Sequence, residues 1–152
     1  MTPTSRLAEL GLTLPAVATP VGAYVPARRE GSRVTTSGQL PLVAGALPLT
    51  GKLGAGVTPE QGHDLARTAA LNALAAAADA AGGLDAIAGI SRVCVYVASD
   101  PGFTGQAGVA NGASELLGAV FGAAGRHVRS AVGVAVLPLD APVEVELTVT
   151  LA

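Results

Sequence analysis

Residues Arg129–Glu146 read RSAVGVAVLPLDAPVEVE. Val132, Val134 and Val136 alternate with Ala131, Gly133 and Ala135, the two-residue period of a strand. Leu137-Pro138-Leu139-Asp140-Ala141-Pro142 breaks that run with turn formers. Val143, Val145, Leu147 and Val149 then alternate with Glu144, Glu146, Thr148 and Thr150. Two strands are predicted, with Arg129 opening the first and Glu144 near the start of the second. A strand-borne arginine presents a fixed planar fork to a carboxylate. A simple hairpin about Leu139-Asp140 would place Arg129 near residue 150 and Glu144 near residue 135. The two would then lie on the order of 25 Å apart, at roughly 3.3 Å per residue. They could share a site only through unusual strand pairing or where two subunits meet.

Outward from this stretch, periodicity marks further elements. Ile90–Ala98 is a strand with Val93, Val95 and Val97 on one face and Arg92, Cys94 and Tyr96 on the other. Thr58-Pro59-Glu60-Gln61 carries the signals of a helix start, and Gly82-Gly83 the stop. Between them Ala66, Ala69, Ala70, Ala73, Leu74 and Ala77 form an alanine face suited to close packing on a sheet. A second helix covers Gly105–Phe121, with Val109, Ala113, Leu116, Leu117 and Val120 as its stripe. Nearer the N-terminus, Thr4–Leu10 reads as a short helix. Val21–Arg29 and Ser32–Ser37 read as strands about a Glu30-Gly31 turn, with Pro26 at an edge or bulge. Leu40–Val57 reads as a loop.

The resulting order, β-β-α-β-α-β-β, is economically packed as one mixed sheet with both longer helices on one face. The other face would expose much Val and Ala, which predicts that sheets pack together in an oligomer.

Composition narrows the function. The chain has 152 residues, half of them hydrophobic but only 3% aromatic, so its core rests on Ala, Val and Leu. One domain is expected over 1–152, with 1–20 as an N-terminal extension. The net charge is −2, with no basic run longer than Arg28-Arg29, which argues against a surface for many phosphates. A single cysteine excludes an intrachain disulfide, and two histidines are too few for a histidine-rich metal site. His63 and His127 read as surface residues, and Cys94 as a small apolar strand residue. Neither Gly51-Lys52 nor Gly102–Gly108 forms a phosphate-binding glycine pattern. No apolar leader or membrane span is evident, so a cytoplasmic protein is expected.

Several stretches in order resemble the RidA family, also called YjgF or L-PSP endoribonuclease-like proteins. They are Val21-Gly22-Ala23-Tyr24-Val25, Thr36-Ser37-Gly38-Gln39-Leu40-Pro41, Phe103 with Asn111, Arg129-Ser130, and Leu137-Pro138 followed by Val143-Glu144-Val145-Glu146. The chain looks like the longer, chorismate-mutase-like branch. The resemblance implies a chorismate-mutase-like α+β fold, a homotrimer with clefts between subunits, and hydrolysis of reactive 2-imino or enamino acids to 2-keto acids and ammonia. It implies Arg129 as carboxylate clamp and Glu144 as the group that orients water or moves a proton. Tyr24 and Asn111 would line the cleft, Gly38 would offer backbone contact, and Ala131 stands where typical members often have cysteine. Arg126-His127-Val128 and Ala23 also depart from the family pattern, at the cleft wall. No metal or organic cofactor is required for so activated a substrate. The alternatives are a trimer that only binds small carboxylates, or an endoribonuclease, which this sequence supports less.

Overall fold

The computed structural model describes residues Met1–Ala152. Its order is α1 (Pro3–Glu9), β1 (Ala27–Glu30), β2 (Arg33–Thr36), β3 (Lys52–Leu53), β4 (Gly56–Val57), α2 (Pro59–Ala81), β5 (Ile87–Ala98), α3 (Gln106–Phe121), β6 (Val128–Val134) and β7 (Val143–Leu151). The main sheet has five strands in the order β1-β2-β7-β5-β6. β6 runs parallel to β5 and β7 antiparallel to it, so the sheet is mixed.

The last two strands do not form the expected hairpin, because β5 lies between them. The connection must span two strand spacings, roughly 10 Å, which a tight turn cannot do. It crosses the end of β5 instead. There the Ala98 amide donates to Pro142 O at 2.9 Å and the Ser99 amide to Val134 O at 2.9 Å. Leu139 and Asp140 take positive φ within this crossing. Leu137, Ala141 and Ala98 form a small buried cluster beneath it.

Helix α2 follows its sequence signals. Thr58 accepts from the Gln61 amide and Gln61 returns a bond to the Thr58 amide, a complete capping box. The left-handed Gly82 ends the helix. Ala66, Ala69, Ala70, Ala73 and Ala77 are fully buried. They share one core with Val93, Val95 and Val97 of β5 and Val143, Val145, Leu147 and Val149 of β7. Both long helices therefore cover the same sheet face.

The other face differs from expectation. It carries Arg92, Cys94 and Tyr96 of β5 and Glu144, Glu146 and Thr148 of β7, and valines only along β6. Register explains this. Val128, Ser130 and Val132 pair with Arg92, Cys94 and Tyr96, whereas Arg129, Ala131 and Gly133 pair with the buried valines of β5. The small residues of β6 face α3, and Val128 and Val132 are exposed.

The first strand is shorter than predicted. Val21–Tyr24 is a series of bends, and pairing begins only after Pro26, which has no amide hydrogen to donate. The turn falls at Gly31-Ser32, one residue later than expected, with Glu30 paired to Arg33. Residues 42–57 are docked rather than free. The Asp100 amide donates to Leu53 O at 2.9 Å, the Gly51 amide to Asp140 O at 2.9 Å, and Leu53 and Val57 are buried. Asn72 of α2 donates to Leu40 O and Leu42 O at 2.9 and 3.0 Å, fixing where this segment begins. The N-terminal segment is held too. Leu7 is buried, and the Thr4 amide donates to Asp85, whose carboxyl this bond holds below its ordinary pKa. No helix is long and apolar enough to cross a membrane.

Candidate active site

Arg129 points from β6 toward α3. Its Nη1 donates to Asn111 Oδ1 at 2.8 Å and to Ser114 Oγ at 3.2 Å. Nη2 makes a longer bond to Ala107 O at 3.4 Å. Ala107, Asn111 and Ser114 lie three or four residues apart, so one helix face presents all three. Both Nη1 protons are engaged. The Nε–H has no partner within the chain and Nη2 has only its long bond to Ala107 O, and these two nitrogens form one edge of the guanidinium. That edge matches a carboxylate bidentately. Ala131, two residues on, shares this side of β6, is half-buried, and packs against the core.

Glu144 points to the other face. It pairs with Tyr96 across the ladder, while its neighbours Val143 and Val145 are fully buried toward the helices. Arg129 and Glu144 are closer than a hairpin would leave them. They stand two strand spacings apart, roughly 10 Å, and three residues along, roughly 10 Å. Yet their side chains leave opposite faces of one sheet, so within one chain they cannot hold one small molecule between them.

Glu144 is met by Gly38. The ladder between β2 and β7 stops at Thr35, and the Thr36 hydroxyl then accepts from the Leu147 amide at 3.0 Å. Backbone pairing resumes with Gln39 and Val145, at 2.8 and 3.0 Å. The irregularity between them lays Gly38 directly over the Glu144 side chain. A Cβ on Gly38 would overlap the Glu144 carboxylate and come within 2.6 Å of its Cδ. Tyr24 and Gly38 line the same shallow depression with Pro26, Gln39 and Leu40. Tyr24 therefore belongs with Glu144, and Asn111 and Ala131 with Arg129. The predicted site residues form two groups, not one.

The two groups differ electrostatically. Glu144 makes no hydrogen bond or ion pair within the chain. Its pKa is raised, first by burial and then by the neighbouring charge of Glu146. Glu146 is partnered, accepting from the Tyr96 hydroxyl at 2.8 Å. That bond in turn is the main reason the Tyr96 phenol is held above its ordinary pKa.

Sequence reasoning set His127 aside as a surface loop residue. It stands instead behind Arg129, with Nε2 at 2.8 Å from Ser114 Oγ and Nδ1 at 2.6 Å from Gly125 O. The available signal was spacing: His127 stands two residues before Arg129, just ahead of β6, and Asn111 and Ser114 are three apart on one helix face.

Residues 4–151 match the family described as YjgF/chorismate mutase-like, putative endoribonuclease. The chain belongs to this family. Protein TCP17 of Trypanosoma cruzi is 44% identical over 148 residues, which is 97% of this chain and 92% of that one. The structure of a putative endoribonuclease from Shewanella oneidensis MR-1 superposes with TM-score 0.95 at 39% identity, covering 99% of this chain and all of that one. The Escherichia coli protein TdcF, solved with bound serine, superposes with TM-score 0.66 at 26% identity, covering 92% and 96%. The YjgF-family assignment accounts for the α+β fold with its mixed sheet and covering helices.

Proposed function

We propose that this YjgF-family chain hydrolyses reactive 2-imino or enamino acids to 2-keto acids and ammonia. The reaction would take place in a cleft completed between the copies of a homotrimer. One observation carries the reading: a guanidinium with a free bidentate edge and a carboxyl with a raised pKa and no partner leave opposite faces of the same sheet. Each is half of an imine-hydrolysis site, and a second copy supplies the other half.

The chemistry follows from the two groups. Arg129 takes the substrate carboxylate on its Nε/Nη2 edge. Water adds to the imine carbon, which protonation of the imine nitrogen makes electrophilic. The carbon–nitrogen bond then breaks and ammonia leaves. A carboxyl whose pKa lies above the usual range is suited to orient that water and pass the proton. Tyr24, Gly38, Asn111 and Ala131 wall the cleft. The reaction as written uses no cofactor, and the substrate is a small carboxylate, not a nucleic acid.

Turnover of freshly generated 2-aminoacrylate tests this, alongside pyruvate affinity and sedimentation at micromolar concentration. The parent should hydrolyse the enamine and sediment as a trimer. Arg129→Ala should lose both binding and turnover. Arg129→Lys should bind weakly, because it keeps the charge and loses the fork. Glu144→Gln should bind pyruvate and lose turnover. A well-folded monomer, or an Arg129→Ala variant equal to the parent, refutes the assignment. The serine bound by TdcF favours one second reading, a trimer that binds small carboxylates without chemistry. Pyruvate binding without enamine turnover by the parent would select it.

A further inference from the structure

We infer that His127 and Ser114 are positioning residues for Arg129: a directed chain of hydrogen bonds sets the guanidinium so that only its Nε/Nη2 edge faces the cleft. This deepens the proposed function and rests on Arg129 being the carboxylate clamp.

The direction of each bond is fixed from the far end. Gly125 O can only accept, so His127 Nδ1 carries the proton and donates to it at 2.6 Å. In that tautomer Nε2 is an acceptor, and the Ser114 hydroxyl donates to it at 2.8 Å. With its one proton used, Ser114 Oγ has only lone pairs for Arg129 Nη1, at 3.2 Å. Asn111 Oδ1 takes the other Nη1 proton at 2.8 Å. The anchor is rigid, because Gly125 is buried and a Cβ there would come within 2.5 Å of Leu117 O on α3. The imidazole is thus set between a fixed carbonyl and the helix that carries Ser114. Without the ring, the Ser114 hydroxyl could rotate its proton toward Arg129 and would no longer be a dedicated acceptor. The guanidinium could then turn its end-on edge to the cleft. A histidine used in this way fixes a partner rather than a substrate, as do the groups that orient metal ligands.

The test uses the full-length protein and the variants Ser114→Ala, His127→Leu, their double and His127→Gln, with Arg129→Ala as reference. Readouts are KM and kcat for 2-aminoacrylate hydrolysis and the affinity for pyruvate, which carries the same test without turnover. Each single change should weaken pyruvate binding and raise KM about tenfold, the lower end for partners one layer behind a ligand, while kcat falls much less. The double should be no worse than the worse single, because both cut one chain. His127→Gln, which restores an acceptor toward Ser114, should recover most of the loss. Should His127→Leu fail to fold, Ser114→Ala and His127→Gln decide alone. Parental KM and pyruvate affinity in Ser114→Ala, with Arg129→Ala inactive and non-binding, overturn this inference and leave the site assignment standing. So do additive losses in the double. Arg129→Ala equal to the parent overturns both.

Discussion

The Arg129 region and the Glu144 region occupy opposite faces of the same three strands, and they are built on opposite plans. Around Arg129 every nearby acceptor is used to hold the guanidinium: Asn111 and Ser114 at one end, Ala107 O beside it, His127 behind. Around Glu144 nothing donates. A glycine lies against the carboxylate, and the hydroxyl of Tyr96, its neighbour across the ladder, is given to Glu146. The contrast suits the roles proposed for the two groups. A clamp must have its direction fixed before the substrate arrives, since its strength lies in two parallel bonds. A proton-handling carboxyl must be free, since any donor would lower its pKa and hold the charged form. The two plans conflict if placed side by side, because a nearby guanidinium would also depress the carboxyl. Opposite sheet faces keep them apart within one chain, and in the proposed assembly only a second copy brings one toward the other.

The strongest way to break this comparison is to mix inactive variants. Arg129→Ala and Glu144→Gln subunits, unfolded together and reassembled, should regain activity if the two groups meet between copies. Random mixing makes one cleft in four intact, so recovery should reach about a quarter of parental activity. A site within one chain would recover nothing, and such a result would refute the inter-subunit cleft.

A smaller effect sharpens the Glu144 side. Gly38→Ala places a methyl group where the carboxylate lies, and the side chain must swing away. The backbone there stays paired through Gln39 and Val145, so the fold should survive. Turnover should fall by about 10²-fold, the lower end of what a positioned acid or base contributes. Pyruvate affinity should change little, because the clamp is untouched. Steady-state kinetics beside pyruvate titration checks both, and equal losses in the two would mean that Gly38 contacts the carboxylate end instead.

Much of this arrangement was legible in the sequence. The capping signals at Thr58-Pro59 and Gln61 gave α2 its start, and the alternating valines gave β5 and β7 their buried faces. Strand β6 misleads because its valines are regular and large, yet it is an edge strand whose helix side is filled by α3 and needs small residues there. Its parity is set by parallel pairing with β5, a long-range fact no local pattern records. The hairpin expectation failed for a related reason. Eight residues, Ala135–Pro142, separate β6 from β7, more than a tight turn needs and suited to crossing a strand. His127 was missed because its partner, Ser114, comes from a different element. Glu144 stood out on its strand and Gly38 came through the family pattern, but the close approach that ties them depends on the break in the β2–β7 ladder.

The smallest predicted effect concerns stability and turns on a sign. Burial and the charge of Glu146 raise the pKa of Glu144 in the folded chain. Between the unfolded and folded pKa values the native state therefore binds more protons than the unfolded one, and stability falls as pH rises through that window. Above it the folded protein carries an uncompensated carboxylate, and the full cost is present at neutral pH. Glu144→Gln removes the charge and keeps the shape. It should raise the urea midpoint at about pH 7.5, and the difference from the parent should shrink as pH falls through that window and vanish below about 4.3, the ordinary value of a glutamate. Protein concentration must be held constant, since assembly shifts the midpoint by mass action. Arg129→Ala, by contrast, leaves the acceptors at Asn111 and Ser114 without their donor and should lower the midpoint at both pH values. A Glu144→Gln midpoint below the parent's at neutral pH would mean that the carboxylate has a partner in the assembled protein. The description of this face as the unpartnered one would then be wrong.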